Sequence, residues 1–476
     1  MEKILILSLL YALMIYPQSQ INELKEKIDS IYTNEYLNNS IMSVNVYDLT
    51  SGQKLYSKNE NTLLSPASNL KILTTSTGLL FLGPNYKFRT TFAYTGEILN
   101  GTLYGDLFVK GGCDPKFSFQ DLKIAAKEIK KAGIKEITGN IYGDVSMMDS
   151  LFWGNGWMWD DDPSTDAPYL TPLDIDANSI NIVVKGTKTG EKANVELIPP
   201  DNFIKICNQS VTVPSDSPST LYVNRDWIHR KNDIYVSGNV KLIVPDSLTD
   251  TTSINVYSPE NYFLSLFKEQ LENQGIAADG NNYLAKMPEY AKTLYVKDRD
   301  LENIIVTTNK ISYNLGAEMI FYTLAEKYYG SPAHWRNGVK MVDSLITIAG
   351  LDPTGYHIVD GSGVSHYNLV STGLILTVLK KLFISYPDLF KVFYSSLPIA
   401  GVDGSLEDRM TGASTKNNVH AKTGSLSGAS SLSGYLHSAN GHLIAFSIII
   451  NNFPGSSKPA RMIEDKICED MSNLKF

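Results

Sequence analysis

The chain has 476 residues, which is more than one ordinary domain core contains and predicts two or three domains. Hydrophobic residues make up 43% and charged residues 19%, a composition that indicates a globular protein and excludes an intrinsically disordered one. The formal net charge of -8 argues against nucleic acid as the main partner, because binding to phosphates requires a basic surface.

The first residues predict export. Met-Glu-Lys is followed by an apolar run from Ile4 to Tyr16, which is shorter than the roughly 20 residues that a membrane-spanning helix needs. Such a run is typical of the apolar region of a secretory signal. We therefore predict a signal peptide over residues 1–19. An uncleaved anchor is the alternative, and it would leave the protein peripherally associated with the membrane.

The elements that follow begin with a helix and a hairpin. Helical periodicity covers Ile21 to Tyr32. Alternation predicts strands from Ser43 to Leu49 and from Lys54 to Ser57, joined by the turn of residues 50–53. A further helix is predicted to begin near Ser68 and to run towards Leu80.

The character of the chain changes from about Arg89 to about Lys297, where short strands dominate. One clear helix, from Phe119 to Ala132, interrupts these strands, and proline-rich loops at residues 199–200 and 214–218 separate them. We predict one or two inserted β-rich domains over residues 89–297. The insertion would divide a catalytic domain into residues 20–88 and 298–476.

Helices return after the insertion, and the chain ends on a hairpin and a helix. Strands from Ser431 to His437 and from His442 to Asn451 flank a turn that contains Asn440-Gly441. This order of elements predicts an α+β catalytic domain. The predicted helices of this part are Tyr313 to Tyr329, Trp335 to Ala349, Thr372 to Phe383 and Pro459 to Met471.

A serine–lysine motif gives the first candidate for catalysis. Ser68 and Lys71 form S-x-x-K, and residues three apart on a helix lie on one face with Cβ atoms about 5–6 Å apart. A serine hydroxyl is a poor nucleophile until a base takes its proton, and a lysine so placed can reach it. A helix cap at Ser68 is the alternative interpretation.

The same motif occurs at three other positions. Ser51 falls in the hairpin turn, Ser265 lies inside a predicted amphipathic helix, and Ser472 is expected in a frayed C-terminal tail. Only Ser68 opens a helix that is apolar over several turns, which predicts that Lys71 is buried.

A second lysine is required if Lys71 is to act as a base. At neutral pH its pKa must fall from about 10.4 by about three units, which corresponds to about 4 kcal/mol. Burial and a nearby cation both lower the pKa of a lysine. Lys422-Thr423-Gly424, just before the terminal hairpin, is the candidate source, because a lysine and hydroxyls on an edge strand suit a substrate carboxylate. The second K-T-G, at Lys188, is interpreted as a solvated loop.

Ser312-Tyr-Asn314 supplies the third element, at the start of a long predicted helix. An N-cap is the alternative interpretation of Ser312. The combination of three elements in one order, each on a suitable structural element, favours a catalytic site. The seven histidines and three cysteines show neither H-E-x-x-H nor C-x-x-C spacing, so we expect no metal and no cofactor.

The ordered set resembles the motifs of penicillin-binding proteins and serine β-lactamases. The chain is more specifically similar to the low-molecular-mass class C D-alanyl-D-alanine carboxypeptidase/endopeptidase family, in which a large insertion follows the first motif. Cys113 and Ser425 depart from the family's usual glycine and threonine. The stretches that carry the resemblance are Ser65-Pro-Ala-Ser-Asn-Leu-Lys71, Gly111-Gly-Cys-Asp-Pro115, Gly156-Trp-Met-Trp-Asp-Asp161, Asp360-Gly-Ser-Gly363, Leu397-Pro-Ile-Ala-Gly-Val-Asp-Gly404 and His420-Ala-Lys-Thr-Gly424.

The resemblance implies roles for the first two motifs. Ser68 would be the acyl-ester nucleophile and Lys71 its general base. Ser312 would relay a proton towards the leaving amine, and Asn314 would bind the peptide backbone of the substrate. The implied fold is a penicillin-binding-protein/serine β-lactamase-like domain, an antiparallel sheet with helices, interrupted by the β-rich insertion.

The resemblance also implies roles for the third motif. Lys422 would help to bind the substrate carboxylate and would lower the pKa of Lys71. Thr423 and Ser425 would hydrogen-bond the terminal carboxylate. The backbone N–H groups of Ser68 and Ser425 would form the oxyanion hole.

The function implied is that of a serine D-alanyl-D-alanine carboxypeptidase, with endopeptidase activity as a further option, acting on peptidoglycan peptides in the periplasm or cell envelope. β-Lactams would acylate Ser68 as inhibitors. One alternative is a serine β-lactamase or esterase on the same scaffold, which the long insertion and the absence of tyrosine at position 312 disfavour. Another is a non-catalytic cell-wall-binding or antibiotic-sensing protein, which the presence of both lysines disfavours. The oligomeric state stays open.

Overall fold

The structure is a computed structural model that describes residues 19–242 and 250–475, so the apolar run of the predicted signal peptide lies outside the described residues. The chain divides into two compact units. The first consists of the described parts of residues 1–85, 301–324 and 338–476, and the second of residues 86–300 and 325–337. Within the described ranges, no helix is long and apolar enough to cross a membrane.

The helices and strands follow one another along the chain and are numbered separately. The helices are α1 (residues 19–31), α2 (Leu70–Phe81), α3 (Phe119–Lys131), α4 (Pro259–Asn273), α5 (Leu301–Lys310), α6 (Asn314–Tyr329), α7 (Trp335–Ile348), α8 (Thr372–Ser385), α9 (Pro387–Ser396) and α10 (Lys458–Ser472). The strands are β1 (Ile41–Asp48), β2 (Gln53–Lys58), β3 (Lys87–Tyr94), β4 (Glu97–Leu99), β5 (Thr102–Tyr104), β6 (Leu107–Lys110), β7 (Glu136–Ile137), β8 (Ile141–Asp144), β9 (Ser179–Lys185), β10 (Asn194–Ile198), β11 (Ile206–Val213), β12 (Tyr222–Arg225), β13 (Ile234–Lys241), β14 (Asp250–Asn255), β15 (Ala277–Ala278), β16 (Asn282–Leu284), β17 (Lys292–Asp300), β18 (His420–Leu426), β19 (Ala429–His437) and β20 (Leu443–Asn451).

The first unit is built on a five-stranded antiparallel sheet in the order β18-β19-β20-β1-β2. Alternate residues of its strands point to opposite faces. Ile444, Phe446 and Ile448 of β20 join a core with the apolar residues of α1 and α10. On the other face α8 packs against β20 and β1, and α2 packs against α8. The helix that carries Lys71 is therefore enclosed, and all of its residues from Leu70 to Leu79 are buried.

The second unit consists mainly of strands in four sheets, ordered β10-β9-β14, β11-β13-β12, β15-β7-β5-β4 and β16-β8-β6-β3-β17. Its core gathers apolar side chains from these sheets and from the paired helices α3 and α4. Lys188-Thr189-Gly190 lies in an exposed turn of this unit, where Lys188 faces Glu191 at 3.9 Å. The interpretation of this second K-T-G as a solvated loop is confirmed.

The α+β prediction is confirmed, and the differences from the predicted elements have physical reasons. The second unit contains two substantial helices, α3 and α4, and the amphipathic helix predicted around Ser265 is confirmed as α4. Helix α5 was not predicted, because its β-branched residues lower the helix propensity of the segment. The expectation of a frayed tail at Ser472 is wrong, since this residue closes α10 with only 3% of its surface exposed.

Candidate active site

The turn that carries Ser68 is anchored to strand β19 by the residues before and after Ser68. Ser68 lies in a short 3-10 turn, Ala67–Asn69, which leads into α2. The hydroxyl of Ser431 on β19 donates to the carbonyl oxygen of Pro66 at 2.7 Å. The side-chain amide of Asn69 donates to the hydroxyl of Ser433 on the same strand at 2.8 Å. The serine is therefore held at the start of a buried helix rather than on a mobile loop.

A close backbone approach explains one glycine of the D-G-S-G stretch. Ala67 adopts a left-handed conformation with φ of 46°, which is unusual for a non-glycine residue. Gly363 has φ of 83°, and a Cβ added to it would lie 2.0 Å from the carbonyl oxygen of Ala67. Only glycine fits this position. The D-G-S-G loop thus lies directly against the residue that precedes Ser68.

Lys71 is fully buried, and its Nζ is surrounded by three oxygens. It lies 2.9 Å from Ser68 Oγ, 2.6 Å from Asn314 Oδ1 and 2.6 Å from the carbonyl oxygen of Ser362. The predicted contact between Ser68 and Lys71 is thereby observed, and Asn314 joins it. The contact with Ser362 was not predicted.

The second motif lies at the start of α6. Ser312 has φ of 59°, in the left-handed region, and Asn314 is the first residue of the helix. The segment before Ser312 is fixed by an ion pair, in which Lys310 Nζ lies 2.8 Å and 2.6 Å from the two carboxylate oxygens of Asp403. Asp403 belongs to the Leu397–Gly404 stretch that the sequence analysis singled out.

The third motif lies on β18, which is an edge strand of the five-stranded sheet within the described residues. Lys422 is fully buried, and its Nζ donates to Ser312 Oγ at 2.9 Å and to the carbonyl oxygen of Thr423 at 2.7 Å. Burial, and then repulsion from the positive charge of Lys71, hold the pKa of Lys422 well below its usual range. The two lysines are thus electrostatic neighbours, and the positive charge of one disfavours the positive charge of the other.

The remaining residues of β18 divide between its two faces. Gly424 faces the Ser68 turn, because a Cβ added to it would lie 2.9 Å from the backbone nitrogen of Ser68. Thr423 and Ser425 alternate with it and belong to the opposite face. Thr423 Oγ1 lies 2.7 Å from Ser405 Oγ. Ser425 is exposed, and its hydroxyl lies 3.4 Å from Ser457 and Arg461 near α10.

The structure therefore joins Ser68, Lys71 and Asn314 in one hydrogen-bonded cluster, and Ser312 with Lys422 in a second. The hydrogen bonds of the Ser425 hydroxyl lead to Ser457 and Arg461 at the start of α10 and not to either cluster. Sequence reasoning missed Ser362, whose carbonyl oxygen contacts Lys71, and Glu318, whose carboxylate binds the backbone of the same loop. The D-G-S-G stretch was the available signal, although its chemistry is in the main chain.

The chain is similar to known D-alanyl-D-alanine carboxypeptidases in sequence and in fold. Residues 24–473 match the profile of the D-Ala-D-Ala carboxypeptidase 3 (S13) family. The D-alanyl-D-alanine carboxypeptidase of an Actinomadura species is 30% identical over 465 residues, covering 94% of this chain and 84% of that protein. The D-alanyl-D-alanine carboxypeptidase DacB of Haemophilus influenzae is 29% identical over 412 residues, covering 85% of this chain and 84% of that protein. The crystal structure of penicillin-binding protein 4 from Haemophilus influenzae superposes with a TM-score of 0.82 at 26% identity, over 94% of this chain and 99% of that one.

The fold and the site define a serine enzyme of the penicillin-binding-protein and serine β-lactamase class, as predicted. The chain belongs to the D-Ala-D-Ala carboxypeptidase 3 (S13) family. The predicted resemblance and the predicted enzyme class, a serine-type D-Ala-D-Ala carboxypeptidase, are both confirmed.

Proposed function

We propose that the enzyme cleaves the terminal D-alanine from peptidoglycan stem peptides through an acyl-enzyme at Ser68. The observation that carries the proposal is the 2.9 Å contact between Lys71 Nζ and Ser68 Oγ in a buried site. This distance is within direct reach for proton transfer. The substrate class follows from the family and from the relatives named D-alanyl-D-alanine carboxypeptidase.

The first half of the reaction forms the ester. The neutral amine of Lys71 takes the proton of Ser68, and the oxygen attacks the carbonyl carbon of the penultimate D-alanine. The C–N bond then breaks, and the leaving amine of the last residue takes a proton. We assign this delivery to Ser312, which relays the proton that Lys71 took from Ser68, while Lys422 Nζ, at 2.9 Å, holds the Ser312 hydroxyl in place. Water then hydrolyses the ester, and Ser68 recovers its proton.

Asn314 has two tasks in this proposal. Its Oδ1 accepts from Lys71 and so helps to aim the base, while its side-chain NH₂ is assigned to the substrate's peptide carbonyl. Lys422, Thr423 and Ser425 are assigned to the terminal carboxylate. Ser425 is exposed, and the guanidinium of Arg461 lies 3.4 Å from its hydroxyl. The positive charge of Arg461 beside Ser425 supports the assignment of the substrate carboxylate to this position.

The oxyanion is assigned to the backbone N–H groups of Ser68 and Ser425. Donors of this type are effective because they are fixed before the charge develops. The close packing at Gly424 supports this assignment, since a Cβ at that position would lie only 2.9 Å from the Ser68 nitrogen.

Replacing Gly424 with alanine tests that close approach. The added Cβ would lie 2.3 Å from Ser431 Oγ, 2.7 Å from the carbonyl oxygen of Pro66 and 2.9 Å from the nitrogen of Ser68, so the strand or the turn must shift. We expect acylation by a penicillin to slow by about 10²-fold, as for the loss of one oxyanion donor. Gly355→Ala is the matched control, because nothing lies within 4 Å of its Cβ position. Equal acylation rates for the two variants would contradict the assignment.

β-Lactams are proposed to acylate Ser68 and to leave slowly. The crystal structure of the Haemophilus influenzae protein in complex with a β-lactam, 25% identical to this chain with a TM-score of 0.76, supports this proposal.

We also propose that the enzyme is exported to the periplasm or cell envelope through a signal peptide over residues 1–19. The second unit is proposed to be an insertion into the catalytic domain, with the sequence-based boundaries at residues 89 and 297.

The purified protein provides the test of the proposed function. We expect release of D-alanine from diacetyl-L-Lys-D-Ala-D-Ala, and a nitrocefin burst of about one equivalent followed by slow turnover. After treatment with benzylpenicillin and trypsin, the adduct is expected on the peptide of residues 59–71, with fragmentation placing it on Ser68 and not on Ser65. Fragments released from purified peptidoglycan, identified by mass spectrometry, would show the balance between carboxypeptidase and endopeptidase activity.

Two outcomes would replace the proposal with an alternative. Continuous nitrocefin turnover without D-alanine release would indicate a serine β-lactamase or esterase. A stable penicillin adduct on Ser68, with no D-alanine released from the peptide, would indicate a non-catalytic sensor.

A further inference from the structure

The orientation of Lys71 depends on two oxygens that can only accept hydrogen bonds. Asn314 Oδ1 and the carbonyl oxygen of Ser362 each lie 2.6 Å from Nζ. They hold two of its hydrogens, and the third tetrahedral position then points towards Ser68 Oγ at 2.9 Å. In the neutral amine this position is the lone pair that must take the proton of Ser68. The main-chain oxygen of Ser362 is therefore part of what aims the base.

The loop that carries this oxygen is held by a buried acid on the N-terminal side of Ser362. Glu318 Oε1 accepts from the backbone nitrogens of Gly361 at 3.0 Å and Ser362 at 2.8 Å, and the side chain of Glu318 is buried. The hydroxyl of Thr74 on α2 donates to the carbonyl oxygen of Gly361 at 2.6 Å. These bonds fix the backbone that leads into Ser362 and so limit the positions that its carbonyl can take.

A second buried acid closes the other end of the loop. Asp360 accepts from the backbone nitrogen of Gly363 at 2.8 Å through Oδ1 and from that of Ser365 at 2.7 Å through Oδ2. The nitrogen of Gly363 shares a planar peptide with the carbonyl of Ser362, so Asp360 restrains that carbonyl from one side. Glu318 restrains Ser362 from the other side, through its nitrogen.

One helix carries both Asn314, the direct acceptor of the lysine, and Glu318, the acid that holds the loop of the other acceptor. Asn314 and Glu318 are four residues apart on α6 and so lie on one face of the helix. Asn314 contacts Lys71 directly, and Glu318 acts through the loop. We propose that Glu318 is a positioning residue for the general base, which it orients through the carbonyl of Ser362. This inference rests on the proposed function, in which Lys71 activates Ser68.

The chemistry of the Glu318 site favours a neutral carboxyl group. Burial, and then the neighbouring charge of Asp360, raise the pKa of Glu318 to about 8. An uncharged side chain of the same length that ends in an acceptor oxygen would then suffice for both N–H groups. The amide of glutamine has the same length and offers such an oxygen.

Three substitutions of Glu318 test the positioning role by acylation with a fluorescent penicillin. Glu318→Leu leaves the two loop N–H groups without their acceptor, and Glu318→Asp withdraws the acceptor by one methylene. We expect both to lower the limiting acylation rate by about 10- to 100-fold, since small misplacements of catalytic groups have effects of this size. The penicillin concentration at half-saturation should change less than about threefold, because the loop does not bind the ligand in this proposal. Glu318→Gln should recover acylation to within about threefold of the wild type.

A control separates positioning from a general loss of stability. Leu324 is buried further along α6, and Leu324→Ala should lower the melting temperature without slowing acylation. A folded Glu318→Asp or Glu318→Leu protein that acylates at the wild-type rate would overturn the positioning role, as would a glutamine variant as slow as leucine. Wild-type acylation at Ser68 is measured in the same series. Its absence would remove the proposed function, whereas its presence with unaffected variants would remove only the role of Glu318.

Discussion

The Ser68→Ala variant is expected to form no covalent adduct with penicillin and to release D-alanine at least about 10⁴-fold more slowly than the wild type. Without Oγ no ester can form, and what remains is the binding and orientation of a substrate that water must attack directly. Intact-mass spectrometry and a coupled D-alanine assay measure the two effects. The melting temperature should change by less than about 3 °C, because the substitution removes one atom and leaves the anchors of the turn, Ser431 and Asn69, in place.

Ser65→Ala is a matched control for this variant. Ser65 lies three residues earlier in the same segment, and its backbone bonds to Asn451, at 2.7 Å and 3.1 Å, do not involve its hydroxyl. This variant should acylate and turn over like the wild type. If Ser68→Ala still bound penicillin covalently, or kept D-alanine release within tenfold of the wild type, the nucleophile would have to be sought elsewhere.

The elements with strong local signals were predictable from the sequence. Ser68 was distinguished from three other S-x-x-K serines because only it opens a helix that is apolar over several turns, and the structure shows that helix enclosed by α8 and by its neighbours. The K-T-G at Lys422 was distinguished from that at Lys188 by the hairpin that follows it. These distinctions depend on the hydrophobic pattern, which the chain carries locally.

The contacts that aim the site were not predictable, since they depend on distant main-chain atoms. The contact of Lys71 with Ser362 joins residues 291 apart, and its acceptor is a carbonyl oxygen that every residue possesses. The left-handed conformation of Ala67 likewise has no local sequence signal, because alanine favours other conformations. The sequence supplied the reacting side chains, and tertiary packing supplied their orientation.

Replacing Lys71 with methionine is expected to slow acylation of Ser68 by about 10³- to 10⁴-fold, which spans the usual contribution of a general base. Methionine matches lysine in length and leaves an apolar group in a buried position, so the turn and α2 should keep their packing. Lys422 should not take over as the base. Without the positive charge of Lys71, one of the two causes that lower the pKa of Lys422 disappears, and that pKa rises towards its usual range. Lys422 is then more fully protonated at neutral pH.

Arginine at the same position separates the two roles that a cation can have there. Lys71→Arg keeps a positive charge and donors for Asn314 and the Ser362 carbonyl, but a guanidinium with a pKa above about 12 cannot accept the proton of Ser68. If Lys71 acts as the base, the arginine variant should acylate as slowly as the methionine variant, in a stopped-flow assay with a fluorescent penicillin. If charge alone activates Ser68, the arginine variant should recover at least tenfold over methionine, and the proton-transfer step assigned to Lys71 would be wrong. Melting curves of both variants ensure that the comparison is made between folded proteins, since the larger guanidinium must fit a site in which lysine is fully buried.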